Sequence, residues 1–217
     1  MALTKITGEG VGSLDAITIG DGTAADKKIL FDGNAQDFHI GLDDSNDSLT
    51  IGLGSTLGTT SYMVIDANGH VTKPLQPAFS VHKNGTDQND YAADTEVTVT
   101  FSHERFDQNG DFNTSTSTFT APVTGKYFLS ATVRTDQMDT GANFYVLSIK
   151  TSNETYRGII DPNFSSDLSY FTERVSLLAD MDANDTAYVF ITQSGGTQQA
   201  DIDGNEEYTY FTGHLEC

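Results

Sequence analysis

Two short acidic loops place oxygen-bearing side chains at alternate positions, as the first half of an EF-hand calcium loop does. Residues 107–111 read Asp-Gln-Asn-Gly-Asp, and residues 201–207 read Asp-Ile-Asp-Gly-Asn-Glu-Glu. Both loops lack the glycine at the sixth position and the bidentate glutamate at the twelfth. The second loop is the better candidate for Ca²⁺, with Asp201, Asp203, Asn205 and Glu206 as candidate ligands. The alternatives are a turn whose side chains bond their own backbone for the first loop and a solvated acidic loop for the second.

No arrangement of residues predicts catalysis. The five histidines fall in five separate elements and lack the H-E-x-x-H or close-paired spacing of a zinc site. The chain has no Gly-x-Ser-x-Gly elbow and no Cys-His pairing. With 31 Asp and Glu, many carboxylate pairs could be proposed for a glycosidase and none is singled out. We therefore expect a protein that is not an enzyme and that has no cofactor apart from the candidate calcium ion.

Charge and hydropathy exclude several classes of partner. The 31 acidic residues outnumber 11 Lys and Arg, and the formal net charge is −20, so the chain is expected to repel nucleic-acid phosphates. No apolar run approaches the length of a membrane-spanning helix, so no membrane insertion is expected. The N-terminus lacks the profile of a secretory signal peptide, and the single cysteine, Cys217, predicts no intrachain disulfide.

The elements that position these loops are predicted to be short β-strands. Twenty glycines and many Thr, Ser, Asn and Asp are typical of strands joined by tight turns, and no helical periodicity extends beyond about three turns. An alternating strand ends at Phe101, and an Asn109-Gly110 dipeptide follows, which favours a tight hairpin. Farther on, 144–149 reads as a central strand and 156–160 as its neighbour. The predicted fold class is all-β.

The stretch from Phe101 to Phe128 resembles the signature of the C1q-like domain. It contains Phe-Thr-Ala-Pro-Val-x-Gly-x-Tyr-Phe from residue 119 onward, preceded by spaced aromatic residues, and residues 211–215 read Phe-Thr-Gly-His-Leu, matching the family's terminal strand. Asn184 stands where the family has glycine and tolerates positive φ, so the turn is expected to survive. The motif positions that the resemblance assigns to the core are Phe101, Phe112, Phe119, Pro122, Gly125, Tyr127, Phe128, Phe211 and Gly213.

This resemblance implies a ten-stranded jelly-roll sandwich of C1q and tumour-necrosis-factor type over residues 78–217. In the family three copies pack around an axis, so the resemblance also implies a homotrimer. Residues 73–77 contain two prolines and are predicted to be an extended linker.

Residues 1–72 show a different pattern. Pairs of apolar residues recur every ten to twelve residues, from Ile17 and Ile19 to Met63 and Ile65, separated by turn clusters. Three strands carry an Ile-Gly step, at residues 19–20, 40–41 and 51–52, where a glycine beside a buried isoleucine is expected to let another backbone come close. Such sparse strands could hardly bury a core alone, so we expect a β-rich trimeric stalk or anchor that stacks on sister chains. The alternative is a small meander on the main domain. The segment also resembles stalks and anchors of marine tailed-phage virion proteins.

The function predicted from these resemblances is that of a trimeric phage virion structural protein on the particle surface. It would be a tail or head fibre or spike with a C1q-like tip for adhesion to a host glycan or protein, and residues 1–72 would bind other virion proteins. The alternatives are a capsid decoration protein and, third, a free C1q-like lectin. The chain would be made in the bacterial host cytoplasm, and the sequence names no receptor-binding residue.

Overall fold

The computed structural model describes residues 15–217 and shows two compact units that divide between Pro74 and Leu75. The described residues form strands, turns and loops without a helix, as the sequence predicts. None of this part of the chain therefore provides a helix that could cross a bilayer. The first fourteen residues of the predicted anchor lie outside the described residues.

Unit 1 (residues 15–74) is a five-stranded antiparallel meander in which each strand pairs with the next. Its strands are β1 (Lys27–Phe31), β2 (Phe38–Asp43), β3 (Ser48–Leu53), β4 (Ser61–Ile65) and β5 (Val71–Thr72). Four of the five predicted apolar pairs lie on these strands. The prediction of a strand at Ile17 and Ile19 was wrong, because this segment pairs with no neighbour and Gly20 turns the chain with a φ of +118°.

The two faces of this sheet have the reverse of the usual polarity. The covered face holds His39, Asp43, Ser48 and Thr50, which are all buried, and the 54–60 segment inserts Leu57 there. Polar bonds satisfy part of this face: the Nδ1 atom of His39 lies 2.9 Å from the Gly54 carbonyl oxygen, and Asp43 accepts from Ser45 and Asn46. The Nε2 atom of His39 is buried without a hydrogen-bond partner among the described residues.

The opposite face, called here the apolar face, is open to solvent. Strand register and the bulge at Ile51/Gly52 place its side chains in three rows. The rows are Leu42, Leu49, Ile65 and Val71; Ile29, Ile40, Ile51 and Met63; and Phe31, Phe38, Leu53 and Tyr62.

The Ile-Gly steps of unit 1 have a different basis from the one predicted. The expected burial of Ile40 and Ile51 was wrong, since both lie on the apolar face. Their glycine neighbours point to the covered face, where another backbone does come close, as expected. A Cβ at Gly41 would lie 2.5 Å from the Lys27 carbonyl oxygen, and one at Gly52 would overlap the Thr60 carbonyl oxygen.

Unit 2 (residues 75–217) is a sandwich of two sheets. The strands of the first sheet are β6 (Ala78–His82), β8 (His103–Asp107), β11 (Gly125–Met138), β14 (Leu168–Met181), β16 (Asp201–Ile202) and β17 (Tyr210–Leu215). Their order across the sheet is β14-β11-β17-β6-β8, with β16 beside β11. The first and last strands of the unit, β6 and β17, are hydrogen-bonded neighbours inside this sheet.

The strands of the second sheet are β7 (Val97–Thr98), β9 (Phe112–Asn113), β10 (Thr118–Thr120), β12 (Phe144–Thr151), β13 (Thr155–Ile160) and β15 (Thr186–Ser194). Their order across the sheet is β13-β12-β15-β10-β9, with β7 beside β15. The predicted pairing of β12 with β13 is confirmed. Each sheet has five strands in sequence across it, which gives the expected ten. The two-residue strands β7 and β16 lie beside β15 and β11 and raise the count to twelve.

Aromatic rings join the two sheets. The Phe79 ring of β6 stacks on Phe119 at 4.7 Å and on Phe112 at 5.3 Å between centroids, and it meets Phe211 edge-on at 5.0 Å. Tyr127 continues the cluster 5.4 Å from Phe119, and its buried hydroxyl donates to the Val123 carbonyl oxygen. Offset and edge-on rings of this kind stabilise a core beyond the apolar area that they bury.

Most of the motif positions assigned to the core lie there. Six of them are buried: Phe101, Phe112, Phe119, Tyr127, Phe211 and Gly213. The two glycines stand where a side chain would not fit. A Cβ at Gly213 would lie 2.7 Å from the Phe79 ring, and one at Gly125 would lie 2.7 Å from the Cys217 carbonyl oxygen. Two assignments were wrong. Pro122 is exposed in the bend before β11, and Phe128 points to the outer face, where its ring lies 5.4 Å from that of His214.

Two turns test the predictions made from single residues. Gly110 has the expected positive φ of +74°. The prediction of a hairpin at this turn was wrong, because β8 pairs with β6 while β9 pairs with β10 in the other sheet. The Asn109-Gly110 turn therefore crosses between sheets. Asn184 has a φ of +75°, which confirms the prediction that this asparagine adopts a positive φ where the resembled pattern has glycine.

Phe119→Ala is expected to lower the free energy of unfolding by about 3–5 kcal/mol, because it empties the space between Phe79 and Tyr127. Chemical denaturation of the full chain measures the change. Phe106→Ala is the matched control, since that ring is 52% exposed on the edge strand β8. Equal losses for the two variants would contradict the placement of Phe119.

Candidate functional site

The outer face of the first sheet in unit 2 carries hydroxyl groups. Register aligns Ser176, Ser130, Thr212 and Ser80 across four adjacent strands. The Ser130 and Ser176 hydroxyl oxygens are 2.7 Å apart, and Thr212 donates to the Phe79 carbonyl oxygen at 2.8 Å. The rows beside this row of hydroxyl groups carry larger side chains, Phe128, Leu178 and His214 on one side and Arg174 and Tyr210 on the other.

Arg134 organises one end of this outer face. Its guanidinium lies over the rings of Tyr170 and Tyr208, at 4.9 and 5.1 Å from the ring centroids. The same group donates twice to Asp136, at 2.6 and 2.9 Å, and an Asp203 carboxylate oxygen lies 3.8 Å away. Paired hydrogen bonds to one carboxylate fix both side chains in orientation. Arg134 therefore connects β11 to the loop that contains Asp203.

That loop, residues 203–209, is held by its own polar groups. Asp203 accepts from the Asn205 amide and Asn205 accepts from the Glu207 amide, both at 2.8 Å. The Gly204 amide donates to Asp87 at 2.6 Å, and a Cβ at Gly204 would overlap the Thr86 backbone. The loop is a turn stabilised by side-chain bonds to its own backbone, an alternative that was considered for residues 107–111 and not for this loop.

A cavity of about 540 Å³ opens beside this loop. Its lining residues are Asn84, Gly85, Asp87, Asp203, Asn205, Glu206 and Glu207. Four of these seven residues are acids, so the cavity suits cations and hydrogen-bond donors rather than anions.

The predicted calcium ligands are not all brought together. Asp203, Asn205 and Glu206 line the cavity, but Asp201 lies elsewhere, where its two oxygens accept from the Asp90 amide and from Gln137. Within residues 15–217, three or more His, Cys, Asp or Glu side chains do not gather in a metal-binding arrangement. The four residues thus do not fit a single calcium site, and calcium binding by part of the loop stays a prediction.

The structure brings together two histidines that the sequence left apart. His82 and His103 have ring centroids 6.0 Å apart, because β6 pairs with β8 at that register. The Nδ1 atom of His82 lies 3.5 Å from a Glu206 carboxylate oxygen. Burial and the nearby Arg105 cation lower the pKa of His82 below its ordinary value, against the effect of Glu206. No sequence spacing could have indicated this pair, since it depends on strand register.

A second cavity, of about 410 Å³, lies on the outer face of the other sheet. It combines the aromatic rings Phe144 and Phe190 with Ile159, which is 70% exposed, and with the charged groups of Arg157 and Glu96. Binding clefts in proteins commonly combine an apolar floor with a few polar groups in this way.

Glu173 is an acid on the inward-facing row of β14. It is 8% exposed, and neither carboxylate oxygen has a hydrogen-bond partner within the described chain. Burial raises the pKa of Glu173 to about 7. The side chain borders a cavity of about 300 Å³ that is also lined by residues of the edge strand β13.

Two sheets with the first and last strands paired in the same sheet define a jelly-roll sandwich, and its surface offers clefts suited to binding. Residues 78–215 match the C1q domain, and the chain belongs to the C1q domain family. This confirms the resemblance drawn from residues 101–128 and 211–215, and it establishes an all-β C1q/TNF-like jelly roll. The resemblance of residues 1–72 to phage virion proteins stays a prediction.

Similar solved structures cover unit 2. The globular domain of zebrafish complement 1qA protein is 19% identical, with a TM-score of 0.46, and the match spans 65% of this chain and 98% of that one. Murine APRIL at pH 8.5 is 12% identical, with a TM-score of 0.46 over 64% of this chain and 98% of that one. No curated protein sequence matches the chain.

Glu173→Gln is expected to change how stability depends on pH. The folded-state pKa of about 7 lies above the ordinary value of 4.5. The contribution of Glu173 to stability is therefore fully present below about pH 4.5, and about 3 kcal/mol of it is lost as the pH rises from there through about 7. The melting temperature of the Gln variant relative to wild type should rise between pH 5 and pH 8. Glu154→Gln, at an exposed position, is the control, and a pH-independent difference for Glu173→Gln would contradict the burial of its charge.

Arg134→Ala is expected to destabilise the fold by about 2 kcal/mol, because it leaves Asp136 without its charged donor. It should also speed proteolysis within residues 203–209, which Arg134 holds to the sheet. Arg174→Ala removes an exposed arginine from the same outer face and serves as the control. Identical proteolysis of both variants would show that Arg134 does not anchor the loop.

Proposed function

We propose that the protein is a homotrimer that presents C1q-like heads and uses its N-terminal segment to join a larger particle. Domains of the C1q and TNF type form homotrimers and bind partners, which supports the trimer. In a closed cyclic assembly of this kind each copy offers the same surface to its neighbours. The row of hydroxyl groups on the outer sheet face of unit 2 offers hydrogen bonds for such a contact, between rows of larger side chains.

The particle we propose is a tailed-phage virion, on whose surface the protein would be a tail or head fibre or spike. The observation that carries the assembly part of this proposal is that one chain joins a C1q domain to a five-stranded sheet whose apolar face is open, whereas the choice of a virion rests on the sequence resemblance of residues 1–72. A module that leaves such a face uncovered is built for assembly, since soluble monomers rarely expose large apolar patches. The sequence resemblance of residues 1–72 to virion stalks and anchors supports the choice of particle.

The head would then act by adhesion, binding a glycan or protein of the host surface. The cleft around Phe144 and Ile159 and the exposed rings of Tyr170 and Tyr208 supply aromatic surface next to charged groups. Aromatic faces together with adaptable polar groups are typical of surfaces that recognise glycans and proteins.

The second candidate function is capsid decoration, in which the heads would stabilise a capsid lattice. It is favoured by the small size of the N-terminal unit, a single sheet whose described part covers residues 15–74 without a repeated shaft. A fibre and a decoration protein differ most clearly in their number of copies per particle.

The copy number in purified particles tests the proposal, by quantitative mass spectrometry against the major capsid protein. Six trimeric fibres on a six-fold tail would give on the order of 18 copies. Hundreds of copies would instead assign the protein to the capsid lattice. Absence from the particles would refute both and leave a free lectin.

A further inference from the structure

The apolar face of unit 1 has the size of a protein interface. Nine of its side chains are large apolar residues that are each 37–57% exposed. They are Ile29, Phe31, Phe38, Ile40, Leu42, Leu49, Ile51, Tyr62 and Val71. Together they leave on the order of 800 Å² open, which matches the area that each partner buries in a standard interface and exceeds the largest patch of a typical monomer.

We propose that this apolar face is the contact surface between three copies of the chain. The inference rests on the proposed homotrimer, which brings three copies of unit 1 to one axis. Only residues 73–77 separate β5 from β6, and a peptide of that length reaches no more than about 20 Å. A short tether of this kind gives the three sheets an effective concentration in the millimolar range. Each open face therefore meets two identical faces before it meets any other partner.

Charge also favours a second copy as the occupant. The chain has a net charge of −20, so two copies repel wherever their acids meet. The three rows of the apolar face contain no carboxylate, and Asp43 points to the covered face. Contact through these rows therefore adds no acid–acid contact. The one charged strand residue beside the rows is Lys27, whose amine pairs with Asp21 at 3.2 Å.

A lipid surface fits this face less well. Cellular membranes carry negative surface charge and attract clusters of Lys and Arg. The apolar face has a single lysine at its corner, which Asp21 neutralises, and the chain as a whole is acidic. The membrane is therefore an alternative that the chemistry disfavours.

Thiol labelling of the full chain tests the proposal. In a Cys217→Ser background, Ile40→Cys and Ile51→Cys place single thiols on the apolar face, and Asn68→Cys places the control thiol in the exposed turn between β4 and β5. Native mass spectrometry first establishes the number of copies, and a maleimide then reports accessibility. In the trimer we expect both face thiols to react at least ten-fold more slowly than the control. Melting temperatures near that of the background protein show that the variants are folded.

The outcomes separate this proposal from the homotrimer itself. A trimer whose face thiols react as fast as the control would overturn the proposal and leave the homotrimer standing. A monomer at all concentrations would overturn both. Deleting residues 1–14 should leave the protection unchanged, and loss of protection would assign the face to that segment instead.

A charged substitution supplies an independent readout. Ile51→Asp puts a carboxylate at the centre of the middle row and is expected to lower the melting temperature of the trimer or dissociate it. Ile17→Asp is the matched control, because Ile17 is 73% exposed and lies outside the sheet. Equal behaviour of the two variants would contradict a contact through the apolar face.

Discussion

The contact of Phe79 with three other phenylalanines is the interaction on which unit 2 depends. Phe79 and Phe211 belong to the first sheet, and Phe112 and Phe119 belong to the second, so one ring cluster joins the layers where the chain enters and leaves the domain. The cluster explains why Gly213 has no side chain, since a Cβ there would strike the Phe79 ring. It also explains the spacing of the motif, because alternate residues along each strand must point inward to meet.

Unit 1 follows the opposite rule. Its sheet buries histidine, aspartate, serine and threonine under the 54–60 segment and leaves isoleucine, leucine and phenylalanine outside. A buried polar group is tolerated when it is hydrogen-bonded, and the bonds of Asp43 and of the Nδ1 atom of His39 meet that condition, whereas the Nε2 atom of His39 has no partner among the described residues. This reversed polarity of the two faces is explained if the apolar face is covered by a partner, as we propose. The local structure of unit 1 is thereby connected to assembly.

The sequence predicted the features that depend on single residues and short spacings. The resemblance to the C1q-like domain implied the buried phenylalanines of the motif. The turn at Asn184 follows from tolerance of positive φ, and the pairing of 144–149 with 156–160 follows from alternation. The features that depend on long-range register were not predictable. Alternation along a strand does not say which face is covered, so Ile40 was assigned to the interior, and the closeness of His82 to His103 arises from register alone.

The candidate calcium loop shows the same limit. Its alternate acids were visible in the sequence, but their partners lie in distant segments. Asp201 accepts hydrogen bonds from the Asp90 amide and from Gln137, and Asp203 forms an ion pair with Arg134. A spacing motif counts oxygen atoms and cannot show which of them already accept hydrogen bonds.

The connection at the start of unit 2 has a mechanical consequence. Gln76 donates to the Leu215 carbonyl oxygen, Asn109 donates to that of Leu75, and β6 follows at once, paired along its length with β17. Tension transmitted along residues 73–77 would reach these bonds first. Because β6 has hydrogen-bonded neighbours on both sides, the load would then shear several parallel bonds together instead of opening them one by one. Unit 2 held in this way would keep its shape while residues 73–77 are under tension.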